Sequence, residues 1–285
     1  MISKLHPSDE AIDVLIVTYQ SERWLGACLE SIPSRVDELP VRVLVVDSAS
    51  DDGTLAVAAT HPHVDLLALT ENRGFAYAIN RGMAATAGRY CLFLNPDAAL
   101  GVDTLTRLVR RVRSQPDLAG VVPEVVDGLG RAQVVAQARP TLRGEIARRA
   151  ERIARPLGWR RPDELREGQR PDWVTGACFM TTREAWRTVG PFDAGYFLYF
   201  AETDWCLRAA GQGLKVEVVE GALAVHVGGA SSTGDRQRSL ARSYFRRSRR
   251  RFFQRHDGHL TAFLVDALHG LMDGLESLRR RGAQS

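Results

Sequence analysis

Three carboxylates and one histidine stand where this chain could do chemistry. Asp97 ends the stretch RYCLFLNPD, in which a short apolar run, Tyr90 to Leu94, stops at Asn95-Pro96-Asp97. A run that short, bounded by a breaker, reads as a buried parallel strand, and Pro96 cannot continue its ladder. Asp97 then falls just past the carboxyl end of a central strand, the edge where open α/β sheets bind ligands. A carboxylate there can hold a hard divalent cation between the protein and a substrate's phosphates. It can equally cap the helix expected from about Val102. Asp47 ends a second apolar run, VRVLVV. It can accept hydrogen bonds from a ribose or base, or it can simply shape the polar turn SASDDGT that follows.

The third carboxylate, Glu202, follows the aromatic loop FDAGYFLYF and opens a helix. Glu202 and Trp205 lie on one face of that helix, while Asp204 and Arg208 can pair on another. Glu202, beside an aromatic wall that would raise its pKa, is the better general base, with Asp204 the second choice. The plainer reading of both is an acidic first turn that complements the helix dipole. His226 ends a strand ahead of the glycine-rich GGASST. A lone histidine there is usually structural, but with Asp97 and a diphosphate it could complete a metal shell. Asn72-Arg73-Gly74-Phe75 opens a helix that carries Asn80. Its backbone amides suit an anion and Arg73 adds charge; a glycine turn with a helix-facing Asn is the alternative.

The elements that must place these residues follow from the apolar pattern. Ile12–Val17, Val41–Val46, Val64–Leu69 and Tyr90–Leu94 read as strands, separated by helices that begin near Ser21, Gly53 and Gly74. Strand and helix in alternation predict βαβ units and a parallel sheet covered on both faces. Further on, the pattern predicts a helix around Leu105–Val112, strands at Leu118–Val122 and Val134–Ala138, and a return to the sheet at Trp173–Thr181. A helix from Arg183 and one from Ala201 to Ala210 come next, then two short strands, Lys215–Val219 and Ala222–His226. From Arg236 two helices follow, broken near Asp257-Gly258. Residues 139–171 hold ten arginines and few apolar residues, and read as a partly helical excursion over a binding site.

Composition excludes several classes. The 285 residues carry a net charge of only +4, and lysine occurs only at Lys4 and Lys215, so arginine supplies nearly all the positive charge. With modest charge and no nucleic-acid-binding motif, no nucleic-acid partner is expected. The amino terminus lacks the apolar core of a signal peptide, and no run approaches the length of a membrane span. Cys28, Cys91, Cys178 and Cys206 are scattered and form no CxxC, so they are expected to be reduced core thiols of a cytoplasmic protein. A dinucleotide fold would need a glycine-rich turn after the first strand, where the chain has Thr18-Tyr19-Gln20-Ser21 and no glycine before Gly26. The glycine-rich, lysine-containing loop of a nucleotidyltransferase is absent from the same place.

Taken together and in order, these pieces resemble the family 2 inverting glycosyltransferases with the GT-A fold, especially the rhamnosyltransferase-like members. The matching segments are IVTYQSERWLGACLESI, VRVLVVDSASDDGT, ENRGFAYAINRG, YCLFLNPDAAL, WVTGACFMTTREAWRTVGPFDAGYFLYFAETDWCLRAAGQG and AVHVGGASS. The resemblance implies a Rossmann-like, mostly parallel sheet flanked by helices over residues 1–235, with a basic helical extension at 236–285. It implies that Thr18, Tyr19, Asp47 and Ser50 meet the nucleoside, and that Asn72, Arg73, Gly74, Asn80 and Asn95 line the nucleotide-sugar cleft. Asn95-Pro96-Asp97 looks like the family's DXD element, with Asn in its first position, so Asp97 and His226 would hold Mg²⁺ or Mn²⁺. Glu202 falls where the family has its base, while Ala201 stands in place of the preceding Glu. Trp173 and Trp205 would face the acceptor.

The donor implied is dTDP-L-rhamnose, with UDP- and GDP-sugars open, and the acceptor is a glycan, a lipid-linked sugar or a small molecule. The tail RSYFRRSRRRFFQR suits either an anionic membrane surface at the inner face or packing on the core or a second subunit. A non-catalytic nucleotide- or glycan-binding module on a transferase scaffold is the alternative that Ala201 and Asn95 keep open.

Overall fold

The computed structural model describes residues 10–154, 170–228 and 235–282. Part of the arginine-rich stretch (155–169) and most of the loop expected at 228–233 lie outside those residues. Four parallel strands form the first half of the sheet: β1 (Ile12–Thr18), β3 (Leu39–Asp47), β4 (Val64–Ala68) and β5 (Tyr90–Leu94). They pair in the order β4-β3-β1-β5, with the short β2 (Arg35–Val36) antiparallel to the start of β3. The second half is mixed. β11 (Cys178–Thr182) runs antiparallel between β5 and β7 (Leu118–Val126), and β12 (Lys215–His226) lies parallel to β7 and antiparallel to β6 (Ala98–Leu100).

The strand period divides the core in two. Ile12, Val14 and Ile16 of β1, with Leu92 and Leu94 of β5, face α1 (Glu22–Glu30), α2 (Thr54–Ala59) and α4 (Thr104–Ser114). Leu15, Cys91 and Phe93 point the other way, toward α3 (Phe75–Ala85), α6 (Arg183–Val189), α7 (Ala201–Ala210) and α8 (Asp235–Gly282). On that second face Phe93, Phe179, Trp186, Phe192 and Trp205 interlock edge to face, with ring centroids 5.0–6.3 Å apart. Cys28, Cys91, Cys178 and Cys206 are free and buried. Burial pushes the thiols of Cys91, Cys178 and Cys206 up to about 12, which makes them inert packing groups.

Two short strands complete the description on the ligand side. β8 (Ala132–Gln133) folds back on β7 through a turn closed by Asp127, whose carboxylate accepts from the backbone of Leu129 and Arg131. β9 (Ala136–Gln137) pairs with β10 (Trp173–Val174), so the chain leaves and re-enters at one place around the excursion that holds α5 (Leu142–Ala154). α8 bends sharply at Gly258, where φ is 85°. Its two arms fold together, with Arg249 bonded to Asp266 and Phe252, Phe253, Ala262 and Val265 all buried. Among the described residues no helix is long and apolar enough to cross a membrane.

Candidate active site

Glu202 enters the site from the first turn of α7, and the chain is strained to place it there. Tyr199 and Phe200, the residues just before the helix, both have left-handed backbones (φ 67° and 65°). Bulky residues adopt that conformation only when their surroundings enforce it, at a cost of about 1–3 kcal/mol each. Here α8 enforces it. Phe245 packs on Tyr199 (5.5 Å) and Phe200 (5.4 Å), Phe252 packs on Phe200 (5.3 Å), and the Ser248 hydroxyl donates to the Leu198 carbonyl (2.8 Å). The Glu202 carboxyl faces a cavity of about 380 Å³ bordered by Trp173, Gly176, Tyr199, Phe245, Asn95 and His226. Desolvation pushes its pKa above the ordinary value, partly offset by the backbone N–H groups of Glu202 and Gly176.

Asp204 does not share that cavity. It is fully buried and accepts from Arg208 (2.9 Å) and His256 (2.9 Å), with Arg255 at 3.1 Å. Burial by itself would raise its pKa, but the hydrogen bonds from His256 and Arg208 and the nearby charges outweigh it and hold the carboxyl below the ordinary value. A carboxylate locked between two guanidinium groups and an imidazole is a poor proton acceptor, which argues against Asp204 as the second-choice base. Trp205 is also displaced from its expected role. It is fully buried, its indole N–H donates to the Gly190 carbonyl (2.9 Å), and it cannot meet an acceptor. Trp173 does border the cavity, oriented by its own N–H bond to Ala138 (3.1 Å).

His226 borders the same cavity, and its Nε2 lies 3.3 Å from Asp97 Oδ1 and 3.3 Å from Asn95 Nδ2. Asp97 sits between β5 and β6, not on α4, whose N-cap is Asp103, so it is not a helix cap. An imidazole nitrogen and a carboxylate oxygen facing each other are a donor set suited to a divalent cation. Among the described residues no group of three His, Cys, Asp or Glu converges on one point. Asp97 and His226 would thus leave most positions of a cation to water and substrate oxygens, as Mg²⁺ and Mn²⁺ sites on diphosphates do.

The remaining expected residues divide between two tasks. Thr18 Oγ1 (2.8 Å) and Ser50 Oγ (2.7 Å) both donate to Asp47 Oδ1, and the Ser50 N–H donates to Oδ2 (2.9 Å). With 1% of its surface exposed, Asp47 shapes the loop rather than offering an open carboxylate, while Tyr19 beside it is 45% exposed. Asn72, Gly74 and Asn80 hold the segment that leads to α7. Asn72 accepts from the Gly74 N–H (3.0 Å), and the Phe75 N–H donates to the Phe197 carbonyl (2.7 Å). Asn80 uses both ends of its amide on the backbone of Phe192 (2.8 and 3.0 Å). Arg73 stacks its guanidinium 4.2 Å over Tyr77 and lies 3.7 Å from Glu71.

Gln133, Glu145, Arg148 and Phe245 were not expected at the site. Gln133 holds His226, and the other three border the cavity from α5 and α8. None belongs to a motif; only the turn signal of Asp127-Gly128 hinted that the chain doubles back there. A wider depression of about 570 Å³ runs between α4 and the bend of β12, bordered by Asp37, Arg107, Arg110 and Glu220. Neither Asp97 nor Glu202 borders it, and Arg110 is paired there with Asp37 (2.9 Å).

Glu202, Asn95 and His226 thus border one cavity, with Asp97 3.3 Å from His226 beside it. The family model of Glycosyl transferase family 2 matches residues 13–189. The chain belongs to glycosyltransferase family 2. This glycosyltransferase is 30% identical over 216 residues to an N-acetylglucosaminyl-diphospho-decaprenol L-rhamnosyltransferase of Mycobacterium tuberculosis, covering 68% of this chain and 69% of the relative. It is 35% identical over 107 residues to the succinoglycan biosynthesis protein ExoO of Rhizobium meliloti, covering 36% of this chain and 30% of the relative. In structure it is similar to the mannosyltransferase PcManGT of Pyrobaculum calidifontis in complex with GDP-Man and Mn²⁺ (TM-score 0.56, 18% identity, 96% of this chain and 79% of that one). It is also similar to residues 1–349 of TarS of S. aureus (TM-score 0.55, 15% identity, 84% of this chain and 63% of that one). At these identities the likeness concerns the fold, and the fold is GT-A.

Proposed function

We propose that this glycosyltransferase moves L-rhamnose from dTDP-L-rhamnose, with inversion, to a hydroxyl of a lipid-linked diphosphosugar. The observation that carries the catalytic part is the one cavity that the raised-pKa carboxyl of Glu202 shares with Asn95 and His226. Glu202 takes the proton from the acceptor hydroxyl. That oxygen forms the new bond to the anomeric carbon from the face opposite the nucleoside diphosphate, which departs with the electron pair of the broken C–O bond. No covalent intermediate forms, so no nucleophilic side chain is required. Asp97 and His226 hold Mg²⁺ or Mn²⁺, which when bound neutralises charge on the departing diphosphate. Tyr19 and Ser50 meet the nucleoside.

The donor and acceptor are supported by the name of the M. tuberculosis relative, a rhamnosyltransferase acting on a decaprenyl-linked sugar. The aromatic wall of Trp173, Tyr199 and Phe245 suits the apolar face of an acceptor sugar.

The test pairs binding with turnover. dTDP should raise the melting temperature more in the presence of Mn²⁺ than without it, by mass action on the native state. Glu202→Gln should keep that shift and lower kcat by roughly 10²–10⁴-fold, the usual contribution of a positioned base. Retained turnover in Glu202→Gln would sink the assignment. So would a shift given only by UDP or GDP, for the donor.

A further inference from the structure

Gln133 embraces His226 with both ends of its side chain. Its Nε2 donates to the His226 backbone carbonyl (2.7 Å), and its Oε1 lies 3.1 Å from the ring Nδ1 of the same residue. A carbonyl oxygen can only accept, so the first contact fixes which end of the amide is the NH₂ group. The oxygen must then face the ring, and an amide oxygen also only accepts. Nδ1 must therefore carry the proton. In the neutral ring this leaves the lone pair on Nε2, the nitrogen that faces Asp97 Oδ1 and receives the Asn95 amide. The Asn95 amide nitrogen is a donor, and a lone pair on Nε2 is what it requires. The Gln133 contacts thus select this tautomer, a donating Asn95 amide agrees with it, and Nε2 and Asp97 Oδ1 are left as two facing acceptors that a cation can share.

We propose that Gln133 is a positioning residue that locks His226 as the Nδ1–H tautomer and so presents its Nε2 lone pair, beside Asp97, to a divalent cation. The proposal rests on the assignment of Asp97 and His226 to the metal in the preceding section. The local fold supports such a role. The Asp127 turn returns the chain so that Gln133 pairs with Val125 of β7, the strand that also pairs with β12 and its terminal His226. Partners of this kind orient metal-binding imidazoles, and their loss typically weakens metal affinity by about 10–100-fold. Gln133 touches neither the reacting atoms nor the cation, so its effect should be read in the ring and in metal affinity.

Two measurements on the full chain separate the outcomes. First, ¹⁵N-histidine spectra of the metal-free protein, with the His226 signal assigned by its absence in His226→Gln, report the tautomer directly. The wild type should show Nδ1–H, and Gln133→Met should lose that preference. Second, titration with Mn²⁺ in the presence of dTDP should show affinity about 10–100-fold weaker in Gln133→Met, with dTDP affinity in the absence of metal unchanged. An Nε2–H tautomer in the wild type overturns the proposal even if no variant folds. Unaltered Mn²⁺ affinity in Gln133→Met overturns it as well. If the wild type shows Nδ1–H but binds no Mn²⁺, the metal assignment itself fails, and the role proposed for Gln133 fails with it.

Discussion

Glu202 and Asp204 stand two residues apart on α7 and meet opposite surroundings. Glu202 faces a cavity and desolvation raises its pKa, whereas Asp204 is buried against Arg208, Arg255 and His256 and its pKa is lowered. One turn of helix therefore carries both the group that can take a proton and the group that anchors the helix on α8. Environments that push two carboxylates apart in this way assign their roles.

The first consequence is a pH profile. Transfer needs the Glu202 carboxylate, so kcat should fall as pH drops through its raised pKa, about tenfold per unit. The acid limb should lie above the ordinary value of 4.5 for this group. The residual activity of Glu202→Gln should lack that limb. A profile flat down to pH 4 in the wild type would refute the role of burial here.

Asp204 should govern stability instead. Its folded-state pKa lies below the unfolded one, so its stabilising effect is complete above pH 4 and is lost as pH falls through the lower, folded value. Asp204→Asn removes the buried charge that Arg208, Arg255 and His256 converge on and should cost about 1–3 kcal/mol at pH 7 in urea unfolding, since the partly exposed guanidinium groups can turn to water. The gap to the wild type should narrow below about pH 4. Variant protein that folds should retain turnover, which a base could not do.

Gly74 offers a third test. Its φ is 91°, and a Cβ there would overlap the backbone of Phe197, whose carbonyl accepts from Phe75. Gly74→Ala combines an unfavourable backbone with a clash that no side-chain rotation relieves. It should cost roughly 1–3 kcal/mol. Because the displaced segment leads to Tyr199, KM for the acceptor should rise more than KM for the donor.

The sequence shows the sheet more clearly than the site. Tyr90–Leu94 was bounded correctly because a run between Gly88 and Pro96 has little choice, and β1 and β3 were located by the same logic. β6 went unread because its three residues carry no period of their own. Lys215–His226 read as two strands, for Glu220-Gly221 looks like a turn, yet the ladder with β7 absorbs it as an irregularity between Val219 and Leu223. At the site, local spacing showed that Asp204 and Arg208 could pair, since that contact lies within one helix. It could not show that Trp205 faces the core or that Asn80 holds Phe192, because distant partners decide those orientations. Gln133 is invisible for the same reason, whereas the tail that holds Phe245 does read as a helix able to pack on the core, without showing that it packs on Tyr199 and Phe200.

The left-handed pair Tyr199-Phe200 has a consequence for how the protein is made. The segment is synthesised well before Phe245 and Phe252, the rings that hold it in place. The sheet and both layers around it can form on the emerging chain, as domains generally do during synthesis. The catalytic geometry cannot, since until α8 docks nothing compels two aromatic residues into that backbone. A nascent enzyme of this design stays silent until the first arm of α8 has left the ribosome.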